Sequence, residues 1–368
     1  MNQNIDDRTC VRFVDNLNRD FFKYRLPAIQ ARLQNWWEFG EQKNPCLLIT
    51  IASLKTAAIP DTNDLEKWWM DIDFIIDRQM KVMDSQTYYG VAVPCHYIDR
   101  GSSAMCGLLG ARMEFVDKET IWAYPNLESV EQVAEIILDR KDDHYLRALE
   151  ITRRSVALAE GHHYVSHIAL EGVTDILAGL YGTENLLMDL VSKPNEVARA
   201  LENVKRIWID LFNEEEALFA RTGNVGRIGW AGIWAPGSHF PLQEDFTYMI
   251  SNAMYRKYVI PHLRDQIDAM QYPFYHLDGM GALNHLNSLL EIKPLRAIQW
   301  VPGSGKERIA QWYGVIERIL RAGKSVECFA RADEVDDLVQ HVGARGLLIN
   351  VEASKEEAER LVAKYGED

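Results

Sequence analysis

The segment Tyr275-His276-Leu277-Asp278-Gly279 holds the spacing in this chain best suited to chemistry. It ends the apolar run Pro273-Phe274-Tyr275, which reads as a strand. Residues two apart in a strand face the same side, so His276 and Asp278 address one space. An imidazole and a carboxylate side by side suit a divalent metal or an acid/base pair. Gly279 follows at once and Gly281 two residues later, as when a strand ends in a turn with backbone close to a ligand. A plainer use of the same residues is a hydrogen-bonded pair in which Asp278 caps a helix over 282–290.

The chain around this segment has 368 residues, enough for two domains or one large α/β barrel. With 47% hydrophobic residues and 10 tryptophans it can fill a large core. A formal charge of −14, from 40 basic and 54 acidic residues, argues against nucleic acid as a partner, since phosphates demand basic patches. No run of about 18 apolar residues appears, so no membrane association is expected. The start, Met1-Asn2-Gln3-Asn4-Ile5-Asp6-Asp7, lacks the basic and apolar blocks of a signal peptide, which predicts a cytoplasmic protein. Five scattered cysteines (Cys10, Cys46, Cys95, Cys106, Cys328) without a C-x-x-C read as free thiols or ligands.

Residues 8–44 read as helical, and the first strand is the continuous apolar run 46–52, suited to cover on both faces. Further strands are expected at 88–95, 163–170, 224–234, 273–277, 297–301, 325–330 and 346–351. Between them lie helical patterns at 64–84, 130–159, 173–191, 194–220, 251–270, 305–322, 332–342 and 354–365. Residues 237–241 read as a loop. Eight strands, each followed by helix, predict an α/β fold: a single (β/α)8 TIM barrel over 45–368 with an N-terminal helical extension over 1–44. An open doubly wound sheet is the alternative, but neither a G-x-G-x-x-G nor a P-loop follows the first strand.

Active sites of such barrels lie at the C-terminal strand ends. Those ends supply Cys95 and His96, Trp230 and Trp234, His276 and Asp278, Gln299 and Trp300, Cys328 and Arg331, and Asn350 and Glu352. His276 and Asp278 are the candidate catalytic pair. Trp230, Trp234, Tyr275 and Trp300, with Gln299 and His96, are candidates for substrate binding, since aromatic faces suit a quaternary ammonium by cation–π attraction or an aromatic ether by stacking.

Several segments resemble the uroporphyrinogen decarboxylase superfamily, and within it the corrinoid-linked methyltransferases. They are Gly107-Leu108-Leu109-Gly110-Ala111 before Thr120-Ile121-Trp122, Leu180–Leu190 with Lys193-Pro194, and Leu242-Gln243-Glu244-Asp245-Phe246 leading through Ile250-Ser251 to Tyr258–Leu263. His276-Leu277-Asp278-Gly279 falls where the methyltransferases have His-x-Cys-Gly. The similarity runs from about residue 45 to the end. It implies a barrel that holds zinc at its strand ends and moves a methyl group between a small substrate (a methylamine, betaine or methoxyarene) and a corrinoid carried by a separate corrinoid-binding protein. The decarboxylases use no cofactor, and their N-terminal arginine-rich motif is absent: residues 45–60 hold Lys55 and no arginine.

The sequence departs from the methyltransferase pattern at two ligand positions. Asp278 replaces a cysteine, and Asn350-Val351-Glu352-Ala353 lacks the cysteine typical of the last strand. The expected metal set is therefore His276, Asp278 and Glu352, with Cys328 as a sulfur ligand. Without metal, His276 and Asp278 would act as an acid/base pair. The alternatives are a cofactor-free decarboxylase and a non-catalytic binding barrel.

Overall fold

The computed structural model describes residues 25–52, 58–159, 161–305 and 308–366. Cys10, Lys55 and most of the N-terminal half of the expected 8–44 helix lie outside them. The strands in chain order are β1 (Cys46–Ala52), β2 (Gln86–Gly90), β3 (Cys95–His96), β4 (Arg112–Phe115), β5 (Ile121–Tyr124), β6 (Tyr164–Val165), β7 (Arg227–Ile228), β8 (Trp234–Ala235), β9 (Pro241–Leu242), β10 (Phe274–Asp278), β11 (Ala297–Val301), β12 (Ser325–Arg331) and β13 (Leu347–Glu352).

Seven of them form one curled sheet in the order β2-β1-β13-β12-β11-β10-β9. All its pairings are parallel except β1 with β2. This is a mixed α/β architecture compatible with a TIM-like barrel, but the hydrogen-bonded sheet is not closed. Three expected staves account for the gap. The 88–95 run divides at Gly90, whose φ of +61° turns the chain. A Cβ there would lie 2.0 Å from the Leu47 carbonyl oxygen, so a side chain is excluded. The first half then runs antiparallel to β1, and Cys95–His96 pairs with Tyr164–Val165 in a separate parallel ribbon. The 224–234 run folds back as the antiparallel pair β7–β8. Pro241, expected in a loop, instead joins Leu242 in a short strand beside Phe274-Tyr275.

Strand parity divides the side chains of the sheet into two cores. Outward residues such as Tyr275, Ile298, Trp300, Val326, Cys328 and Ile349 pack against the surrounding helices. Among these is the helix Pro194–Phe219, opened by its proline as expected. Inward residues at the N-terminal ends, including Cys46, Phe274, Ala297 and Leu348, meet the helix Leu26–Trp37. That helix buries Leu26, Ile29, Leu33, Trp36 and Trp37, an i, i+3, i+4 stripe. Trp36 Nε1 donates to the Gly346 carbonyl at 2.9 Å and Trp37 Nε1 to the Trp234 carbonyl at 2.7 Å, so the helix plugs the N-terminal end of the sheet. Among the described residues no helix is long and apolar enough to cross a membrane.

Candidate functional site

His276 and Asp278 sit at the C-terminal end of β10, one step above the buried Phe274 on the same inward face. The strand stops at Gly279, whose φ is +76°. A Cβ on Gly281 would fall 2.4 Å from the Tyr248 ring, so the turn is tight because Tyr248 lies on it. Asp278 occupies the N-cap of the short helix Gly279–Ala282, yet its side chain caps nothing. The carboxylate is thus left for another partner.

That partner comes from a segment that sequence reasoning did not assign to the site. Asp245, His276 and Asp278 each present a ligand atom within 4.8 Å of the others. Asp245 is held in place from both sides. Its own N–H and that of Phe246 donate to Asp175 at 2.9 and 2.6 Å. The preceding Glu244 is buried and accepts from the Val173 and Thr174 N–H groups at 3.0 and 2.8 Å and faces His262 Nε2 at 2.7 Å. The result is a carboxylate fixed at the wall of a cleft; like Asp278 it is exposed to solvent, while protein surrounds its remaining sides. Burial pushes the Asp245 carboxyl up; His276 opposes the shift, while Asp278 and Glu244 add to it. Its signal in the sequence was the run Gln243-Glu244-Asp245, in the segment that leads through a helix to the metal-capable strand.

On its other side His276 meets Gln299. The Gln299 carbonyl oxygen faces Nδ1, so Nδ1 carries the proton and donates, which leaves the lone pair on Nε2. Gln299 Nε2 in turn donates to Glu327 Oε2 at 2.6 Å. Burial pushes the Glu327 carboxyl up to about 8, while Gln299 and Asn350 pull it back. The Trp230 ring stands edge to face against His276, centroids 5.0 Å apart, and its Nε1 donates to the Pro241 carbonyl at 3.1 Å.

The remaining candidates are placed elsewhere. Tyr275, Trp300 and Cys328 alternate with His276, Gln299 and Glu327 and so face outward into the helical layer, each no more than 2% exposed. Cys328 is therefore not positioned to be a sulfur ligand here, and burial holds its thiol well above its ordinary range. Trp234 lies in the plug core, where its Nε1 donates to the Tyr164 hydroxyl at 3.0 Å. His96 is buried on β3 beside His163, with burial lowering it to about 3. Glu352 ends β13, registered with Arg331, and is outside the Asp245–His276–Asp278 group.

Two cavities open beside the cluster. One of about 340 Å³ is lined by His276, Trp230, Tyr97 and Phe240 together with Asp99, Glu119 and Glu171. The other, of about 520 Å³, is lined by Asp245, Asp175, Trp122 and Phe246. They share Ser102, Glu171 and Gln243, and among the described residues neither is lined by a lysine or arginine. One imidazole and two carboxylates form a three-donor set with room for further ligands, which fits a divalent metal in an open site. It is an oxygen-rich set that keeps His276 and Asp278 of the expected ligands, adds Asp245, and leaves out Glu352 and Cys328.

No family model matches the chain, and no curated protein matches it in sequence. In three dimensions it is similar to a methyltransferase from Methanosarcina mazei, with a TM-score of 0.59 at 9% sequence identity, over 92% of this chain and 98% of that one. At such an identity the likeness is one of fold, and it extends over nearly the whole of both chains.

Proposed function

We propose that this chain is a (β/α)8-type methyltransferase of the uroporphyrinogen decarboxylase superfamily, in its corrinoid-linked branch, with residues 1–44 as an extension of a barrel over 45–368. It acts in the cytoplasm, moving a methyl group from a small methylated ammonium compound to a corrinoid carried by a separate protein. The observation that carries this reading is the Asp245–His276–Asp278 cluster at a strand end, opening on a cleft with carboxylate and aromatic walls. Asp245, Asp278 and the open ring nitrogen of His276 would hold a divalent metal, zinc in the first instance. When bound, it supplies Lewis acidity.

Within the cleft the walls choose among methyl donors. Among the described residues Asp99 and Glu119 line it with no basic side chain, while burial pushes Glu171 and Asp175 well up toward their neutral forms, and Trp230 and Tyr97 add aromatic rings. A cation gains from both, whereas the carboxylate of a betaine finds no partner and a methoxyarene forgoes the charge. Transfer of CH₃⁺ from a quaternary ammonium to reduced cobalt breaks one C–N bond, forms one C–Co bond and releases a neutral amine. The decarboxylase alternative needs basic groups to seat a carboxylated substrate, and among the described residues the cleft lining has none.

The test mixes protein, reduced corrinoid and a panel of methylamines, betaines and methoxyarenes while the cobalt spectrum is followed. Methylcobalt is expected with quaternary and tertiary methylammonium compounds, and His276→Ala abolishes it while the protein stays folded. Absence of methylcobalt across the panel, with carbon dioxide released from a carboxylated substrate, would replace this reading by a lyase.

A further inference from the structure

Three neighbouring strands each place one side chain at the same level of the inner face of the sheet. His276 on β10 is registered with Gln299 on β11, and Gln299 with Glu327 on β12. Gln299 is 2% exposed and Glu327 0%, so water does not replace a lost partner. A primary amide has a donor end and an acceptor end, and the end that faces His276 decides which ring nitrogen carries the proton. With Oε1 toward Nδ1, the proton sits on Nδ1 and the free lone pair is on Nε2. With the amide reversed, its N–H would meet Nδ1, the proton would move to Nε2, and that lone pair would be lost to any ligand.

One contact in the row favours the first state: Gln299 Nε2 donates to Glu327 Oε2 at 2.6 Å, an acceptor oxygen the carboxyl offers in either protonation state. Asn350 is the other polar side chain that faces the Glu327 carboxyl. A carboxyl buried this completely costs stability, so this group is poorly explained as a device for holding the fold together. We infer that Glu327 is a positioning residue that, through Gln299, holds His276 as the Nδ1–H tautomer and keeps its Nε2 lone pair open.

This consequence for metal binding rests on the function proposed above, but the tautomer itself does not. Metal-free full-length protein labelled with ¹⁵N-histidine is read by long-range ¹H–¹⁵N NMR, the His276 signals being those missing from His276→Asn. The wild type is expected to show Nδ1–H. Glu327→Met, close in volume, should shift His276 toward Nε2–H or a mixture, whereas Glu327→Gln, whose carbonyl still accepts from Gln299, should keep the wild-type pattern. Gln299→Met should lose the pattern whether or not Glu327 is also replaced, and it carries the comparison if Glu327→Met fails to fold. In parallel, Co²⁺ titration should show binding about 10–100-fold weaker in Glu327→Met and near wild type in Glu327→Gln. A folded Glu327→Met or Gln299→Met protein with an unchanged His276 tautomer overturns the assignment. A wild type that binds no cobalt counts against the metal reading alone and leaves the tautomer result to decide this one.

Discussion

The two ends of the sheet's inner face share strands and parity and differ in chemistry. In β10, β11 and β12 a single inward step of two residues leads from Phe274, Ala297 and Ser325 to His276, Gln299 and Glu327. The lower residues lie under Trp36 and Trp37, where Ser325 donates its hydroxyl to the Trp36 carbonyl and the rest is apolar. The upper residues meet a cleft. The lesson is that facing inward does not make a residue core or site. Its distance from the plug does, because polar groups are tolerated where water, a ligand or a full row of hydrogen bonds can meet them.

The largest effect expected from breaking this contrast is at the plug. Trp37 is 1% exposed and packs edge to face on His239, Tyr272 and Phe274, with centroids 4.9, 5.7 and 6.0 Å away. Trp37→Ala should cost about 3–5 kcal/mol in denaturant unfolding, through lost burial and the cavity left behind. Methyl transfer per folded molecule should not change. His276→Ala, only two residues above Phe274, should abolish transfer at a smaller cost in stability, that of leaving Gln299 Oε1 without its partner.

How much of this was legible follows from the same geometry. Period-two reasoning put His276 and Asp278 together, and the strand-end rule brought in Gln299 and Trp230. Applied one residue further, the same period excludes Tyr275, Trp300 and Cys328, each next in sequence to an inward residue. Glu327 was hidden because it sits in an apolar run, and only the alternation Ser325, Glu327, Phe329 could have marked it as inward. Asp245 was hidden because contacts across about 70 residues of sequence place it: Asp175 accepts from the Asp245 and Phe246 N–H groups, and the adjacent Glu244 accepts from Val173. The long strands were legible from their composition. The two-residue strands β3, β6, β7, β8 and β9 were not, since their ends depend on glycine turns and neighbours that no local pattern encodes.

The two ends should also titrate in opposite directions. Glu327 in the upper row is raised by burial from 4.5 to about 8, so between these values the folded state keeps a proton that the unfolded state has lost. Stability from this group is greatest at low pH and is lost as pH climbs toward 8. At the plug, burial lowers His239 from 6.5 to about 4, so the unfolded chain takes up a proton that the folded one refuses. That contribution is present above 6.5 and is lost as pH falls toward 4. Each limb has a slope of up to about 1.4 kcal/mol per pH unit. Unfolding free energies across pH 4–9 should show Glu327→Gln flattening the alkaline limb and His239→Gln the acid limb; if each variant leaves its own limb unaltered, the burial argument fails.

The smallest expected effects come from two tryptophans that the sequence treats alike, Trp230 and Trp300. Trp230 is partly buried, lines the cleft and touches the His276 ring. Replacing it by Phe keeps a ring but weakens cation–π attraction, so KM for a quaternary ammonium substrate should rise by about 3–10-fold with little change in the melt. Trp300 faces outward, fully buried, against Trp312 at 5.3 Å, and its Nε1 has no hydrogen-bond partner. Trp300→Phe gives up ring area but also removes an unpaired N–H, and these terms oppose each other, so stability should move by about 1 kcal/mol or less. KM should stay where it is, because the indole is on the far side of the sheet from His276. A Trp300→Phe enzyme with a raised KM would mean that the outer core shapes the cleft, and the division of the sheet into a packing face and a chemical face would have to be redrawn.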